Sequence, residues 1–110
     1  MKPLTNDELL WVLVDFDNTI CNNSGYPDFV PTEPIKGARE ALQEIIDKGL
    51  KVLVYTARAW SDYSLIEEWL IKNEMPFKTI ICGKPLGRVI IDDRAIGFNG
   101  DWADVLTKIR

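Results

Sequence analysis

Residues 11–16, "WVLVDF", make a near-continuous apolar run, the pattern of a strand covered on both faces as in parallel sheets, and they predict a central first strand. "LKVLVYT", residues 50–56, repeats the pattern and predicts a second buried strand. Between the two runs the period lengthens. Ile35, Ala38, Ala41, Leu42, Ile45 and Ile46 recur at helical spacing, which predicts an amphipathic helix over 35–48 closed by Gly49. A second helix is predicted from an N-cap at Ser61 through Lys72, with Tyr63, Ile66, Trp69 and Leu70 on one face and Asn73 and Pro76 past its end. Shorter apolar runs at 78–82, "KTIIC", and 88–92, "RVIID", predict two more strands. In the closing "GDWADVLTKIR", Asp101 is the expected cap of a short helix that turns Trp102, Val105, Leu106 and Ile109 inward.

Strands alternating with helices at this spacing predict a three-layer α/β/α sandwich around a Rossmann-like, doubly wound, mainly parallel sheet. All 110 residues are expected in a single domain. The stretch 18–34 departs from the pattern, because Asn22, Asn23, Ser24, Gly25, Pro27, Pro31 and Pro34 make it polar and irregular. Loops of that length usually carry function or hold a small hairpin, so a flap is expected there. Ligands of doubly wound sheets bind beyond the C-terminal ends of the strands. At those ends stand Asp15, Asp17 and Thr19, then Thr56 and Arg58, then Lys84, and last Asp92 and Asp93.

Each of these residues has a bland reading. An aspartate after a strand is commonly a turn former or a helix cap, and Thr56 suits a cap or a strand. Lys84 in "CGKPLG" reads as a solvated loop lysine, and "DDR" as an ordinary charged turn. Four such groups on one predicted rim would need four independent structural explanations, which makes one shared chemistry the more economical account.

Composition removes several classes of chemistry. The chain has no histidine, so Ser-His-Asp and Cys-His catalysis and histidine-ligated zinc are excluded. A formal charge of -4 disfavours nonspecific binding to nucleic acid or to anionic membrane. Cys21 and Cys82 lack CxxC spacing, which suggests reduced thiols, and no apolar stretch reaches signal-peptide or membrane-spanning length. A cytoplasmic location is therefore expected.

The remaining groups suit phosphate chemistry. Several carboxylates facing one another need a compensating cation, and oxygen-only ligands suit Mg²⁺. One aspartate can then attack phosphorus while Mg²⁺ and Lys84 neutralise the phosphate oxygens, and a neighbouring carboxylate can exchange a proton with the leaving group.

"DFDNT", "VLVYT", Lys84 and "IIDD", in this order over residues 12–93, resemble the four motifs of the haloacid dehalogenase-like phosphohydrolase superfamily. The resemblance implies a Mg²⁺-dependent phosphatase that hydrolyses a phosphate monoester through a phosphoaspartate on Asp15, with Asp17 as general acid and base. It implies that Thr56 and Lys84 hold the phosphate, with Asn18 and Arg58 as further substrate contacts. Asp15, Asp17, Asp92 and Asp93 would form the metal site, and Thr19 would be structural. With only 18–34 as a flap and no room for an insertion in "GKPLGR", the chain resembles capless members of bacterial or phage type. The expected substrate is a small phosphorylated metabolite, with sugar and nucleotide phosphates among the candidates, and a homo-oligomer is allowed.

A phosphotransferase or phosphomutase of the same superfamily is the alternative, although it requires a lid against water. A non-catalytic phosphoacceptor or phosphate-binding module is a second alternative. In receiver-type modules the acceptor aspartate follows the third strand, where this chain has nothing acidic. Arg58 could hold a second anionic group or make a salt bridge at the start of a helix, and Trp60 could stack on a substrate ring or anchor packing. Arg94 is expected to offset the adjacent carboxylates through an ion pair, and Trp11, Trp69 and Trp102 are expected in the core.

Overall fold

The computed structural model describes residues 3–109. The first apolar run forms strand β1 (Trp11–Val14), which is shorter than the pattern suggests because Asp15 leaves the ladder. The loop that follows curls around one acceptor: the Phe16 carbonyl receives the backbone N–H groups of Thr19, Ile20 and Cys21 at 3.3, 2.9 and 3.1 Å. The expected flap is a small antiparallel hairpin of β2 (Cys21–Asn23) and β3 (Pro31–Pro34).

Helix α1 (Ala38–Asp47) starts three residues later than its periodicity predicts. Gly37, at φ 83°, holds the left-handed turn that sets the start, a conformation costly for any residue with a Cβ. Ala38, Ala41, Leu42 and Ile45 form its buried stripe. Gly49 closes the helix as expected, at φ 86°. Strand β4 (Lys51–Tyr55) follows, then helix α2 (Tyr63–Lys72), strand β5 (Thr79–Ile81) and helix α3 (Trp102–Lys108).

Ser61 is not the cap of α2. Residues Trp60–Asp62 take a short 3-10 turn, and Asp62, next to the helix, makes no capping bond because its carboxylate is paired with Arg58. Asp101 does cap α3, accepting from the N–H groups of Ala103 and Asp104. Asp101→Ala is expected to cost ~1 kcal/mol in urea denaturation; a change indistinguishable from zero would show that this cap is not what holds α3.

The sheet is parallel, in the order β1-β4-β5, with Val14 opposite Val54 and Leu53 opposite Thr79. The central strand is therefore β4, and β1, expected at the centre, lies at an edge with Leu13 exposed. Strand order is set by which backbone edges meet, and a run of apolar residues does not encode it. The second correction concerns 88–92, where an expected strand is absent: Val89, Ile90 and Ile91 are exposed, Ile91 at 96%. Among the described residues no strand pairs with them, so their β-branched side chains have no ladder to join.

Phe16, Ile20, Leu42, Ile45, Val52, Val54, Ile66 and Leu70 fill the core between sheet and helices. Trp69 and Trp102 are buried as expected, and each indole N–H is satisfied by a carbonyl, of Thr32 and Thr19 respectively. Trp11 is instead partly exposed, under the Lys51 ammonium at 5.2 Å. No helix among the described residues is long and apolar enough to cross a membrane.

Candidate functional site

The loops after β1, β4 and β5 are knitted into one rim by their backbones. The Thr56 N–H donates to the Ile81 carbonyl, the Gly83 N–H to Arg58, and the Lys84 N–H to Thr56, each at 2.9 Å. This sets Lys84 opposite the end of β1. Its ammonium pairs with Asp15 Oδ1 at 3.1 Å and lies 5.4 Å above the Tyr55 ring. Asp15 Oδ2 accepts from the Thr19 hydroxyl at 3.4 Å, the structural role expected of Thr19. Held at both oxygens, Asp15 is still 41% exposed along its side chain, so it can meet a ligand from solvent.

Asp17, two residues on, is held differently. The Arg58 guanidinium forks it, Nε to Oδ2 and Nη2 to Oδ1, both at 2.8 Å, and the Asn23 amide adds a third bond to Oδ1 at 3.0 Å. Between the two aspartates Phe16 points into the core, edge-on to Trp69 with ring centroids 5.4 Å apart. One buried ring thus anchors a pair of carboxylates that each face a cation. Bidentate charge-assisted bonds of this kind fix orientation as well as charge. The Asp17 contact is also the first cause of a raised Arg58 guanidinium pKa.

Thr56 is buried, and its hydroxyl accepts the Arg58 N–H at 3.2 Å. It fastens the loop that presents Arg58, where a phosphate contact is the expectation from sequence. Asn18 sits exposed beside Asp17 at φ 60°, a left-handed conformation that asparagine tolerates better than most residues. Trp60 stacks on Tyr63 at 6.0 Å and stays largely open to solvent.

Asp92 and Asp93 are not brought to this rim. Both are exposed, and Asp92 Oδ1 accepts the Arg94 N–H at 2.7 Å in a local turn. That backbone contact stands where an Arg94 ion pair is expected. Among the described residues no three carboxylates or thiols come close enough to hold a metal ion. The expected shell of Asp15, Asp17, Asp92 and Asp93 is therefore not assembled in this arrangement, because 88–92 forms no strand to carry the last two.

Sequence reasoning missed Asn23, Asp62 and the Phe29 carbonyl as partners of this cluster. Asp62 is legible in retrospect, four residues after Arg58 at the start of a helix. Asn23 and Phe29 carry no such signal, since only the hairpin fold brings them near.

Cys21 and Cys82 are free and buried, in keeping with the expected reduced thiols. Burial first, and the Asp17 charge second, pushes the Cys21 thiol up from 9.0 to about 12. The unfolded chain loses this proton near the ordinary value and the folded chain only near the raised one. Stability from this group is thus complete below pH 9.0 and lost as pH rises toward about 12. Thermal midpoints measured from neutral to alkaline pH should fall less steeply in Cys21→Ala than in wild type; parallel slopes would remove Cys21 as a cause.

No family model and no curated protein matches the chain. Two solved structures are similar. A conserved protein from Bacteroides thetaiotaomicron is 24% identical with a TM-score of 0.61, over 86% of this chain and 84% of that one, which shows a shared fold. The crystal structure of an MCSG target from Vibrio cholerae has a TM-score of 0.65 and 30% identity, over 78% of this chain and 81% of that one. At that identity and coverage, the chain belongs to one family with the Vibrio cholerae protein.

Proposed function

We propose that this protein is a phosphatase of the haloacid dehalogenase-like superfamily that hydrolyses a small phosphate monoester through a phosphoaspartate on Asp15. The observation that carries the reading is the Asp15–Lys84 pair: a half-exposed carboxylate on a rigid strand end with an ammonium 3.1 Å away. Asp15 attacks phosphorus, the ester P–O bond breaks, and the leaving oxygen takes a proton from Asp17. Water then attacks the phosphoaspartate with Asp17 accepting its proton, the bond from phosphorus to Asp15 breaks, and phosphate leaves. Lys84 neutralises phosphate oxygens in both steps.

In the same reading the three-layer sandwich is completed when 88–92 adds to the open edge of β1 as a fourth strand. The supports are the outer edge of β1, unpaired among the described residues, and the exposure of Val89, Ile90 and Ile91. Asp92 and Asp93 then reach Asp15 and Asp17, and Mg²⁺ is the cofactor they suit. Free buried thiols suit a reducing, cytoplasmic setting.

One observation favours a second reading, a phosphoacceptor that keeps its phosphoryl group: both Asp17 oxygens are already engaged. Phosphate release from a panel of sugar, nucleotide and acyclic phosphate esters, in Mg²⁺ and in EDTA, tests the proposal. Catalytic release that depends on Mg²⁺ is expected. Phosphorylation of the protein without release would favour the phosphoacceptor, and neither result would leave phosphoryl transfer without support.

A further inference from the structure

Arg58 is the most enclosed cation of the rim, its side chain only 11% exposed, and four parts of the fold meet on it. Its guanidinium forks Asp17 after β1, pairs with Asp62 before α2 at 3.3 Å, and donates to the Phe29 carbonyl at the tip of the hairpin. It also lies over the Phe16 ring, 5.8 Å from the centroid. The Arg58 backbone is fixed as well, by the Thr56 hydroxyl on its N–H and the Gly83 N–H on its carbonyl. From the other side, Asn23 in β2 donates to Asp17 and accepts from the Gly25 N–H. The hairpin tip closes on itself through the Ser24 and Val30 backbones and the Ser24 hydroxyl. Asp17 is the point where tip and sheet are joined.

We propose that Arg58 is a positioning residue that fastens Asp17 and the hairpin tip, residues 24–30, into one unit, so that freeing Asp17 for proton exchange and lifting the tip are the same event. Oδ1 of Asp17 accepts two N–H bonds and Oδ2 one, so three of its about four acceptor positions are taken, and opening the Arg58 fork, which also holds the Phe29 carbonyl, is what turns the carboxylate freely to a leaving group. Asp62 stays bonded to Nη1 when that happens, which spares the buried guanidinium an unpaired state. The planar fork presents Nε and Nη2 to Asp17 and Nη2 to the Phe29 carbonyl at fixed angles, a geometry that the point-like ammonium of lysine does not reproduce.

The catalytic half of this inference rests on the phosphatase reading, and the fastening half does not. Hydrogen exchange addresses the second. In Arg58→Gln and in Arg58→Lys, the amides of 24–30 should exchange about tenfold faster than in wild type, with those of β4 unchanged. Arg58→Lys keeps the charge, so its folded state is the check against general loosening. Tip exchange equal to wild type in both variants overturns the proposal. Kinetics with p-nitrophenyl phosphate address the first half: kcat should fall about tenfold in Arg58→Lys with KM within about twofold of wild type. A raised KM at unchanged kcat would make Arg58 a substrate-anion contact and overturn the positioning role. A wild type that hydrolyses no ester while the tip loosens as expected refutes the catalytic half with the phosphatase reading and leaves the fastening established.

Discussion

Asp15→Asn is expected to lower phosphate release by about 10³-fold or more on every ester the wild type cleaves, because the amide is nearly isosteric and a poor nucleophile. The substitution removes one partner of the Lys84 pair, yet Asp15 is well exposed at 41%, so the pair is screened and stability should change by less than about 1 kcal/mol. Activity and stability thus separate, which a merely structural Asp15 would not allow. Circular dichroism and urea denaturation give the stability arm, and phosphate release gives the activity arm. Retained release in the variant would end the assignment of Asp15 as nucleophile.

Phe16→Ala carries the largest expected effect on stability. Its ring is fully buried, edge-on to Trp69 and under the Arg58 guanidinium, and its carbonyl organises the turn that follows. Removing a buried phenyl ring costs ~3–5 kcal/mol, a large part of the ~5–15 kcal/mol that holds an ordinary domain together. The loss should also exceed what packing alone implies for activity, since Phe16 is the anchor between Asp15 and Asp17. Phe16→Leu retains much of the volume and should recover most of the stability. Urea denaturation of both variants checks the first part; a loss below about 1 kcal/mol in Phe16→Ala would mean that the core closes around the gap and that Phe16 does not fix the rim.

The elements legible in the sequence are those whose evidence is local. Helix α1 and the cap of α3 were readable because a helical stripe and an aspartate at its start act within a few residues. Strand β4 was readable for the same reason, as an apolar run between breakers. What the sequence misreads depends on partners far along the chain. The placement of β1 at an edge and the exposure of 88–92 are decided by which strands pair, and no run of valines and isoleucines states its neighbour. Ser61 lost the start of α2 to a turn in which Asp62 is engaged by Arg58.

The site divides along the same line. Asp15 and Lys84, nominated from separate strand ends, meet at 3.1 Å across 69 residues, because a parallel sheet delivers its strand ends to one rim. Arg58 was readable as a rim cation, but its fork onto Asp17 was not, and its helix-start salt bridge with Asp62 proved to be one contact of several. Thr56 fits a phosphate motif by position, and what the sequence does not show is that its hydroxyl also accepts the backbone N–H of Arg58.

The measurement that tests the central claim most directly is the mass of wild-type protein quenched in acid during turnover of a phosphate ester in Mg²⁺. One added phosphoryl group, located on the peptide that contains Asp15 and absent from Asp15→Asn, is the predicted result. Continued hydrolysis with no phosphoryl group on that peptide, or with the group on another residue, would contradict it.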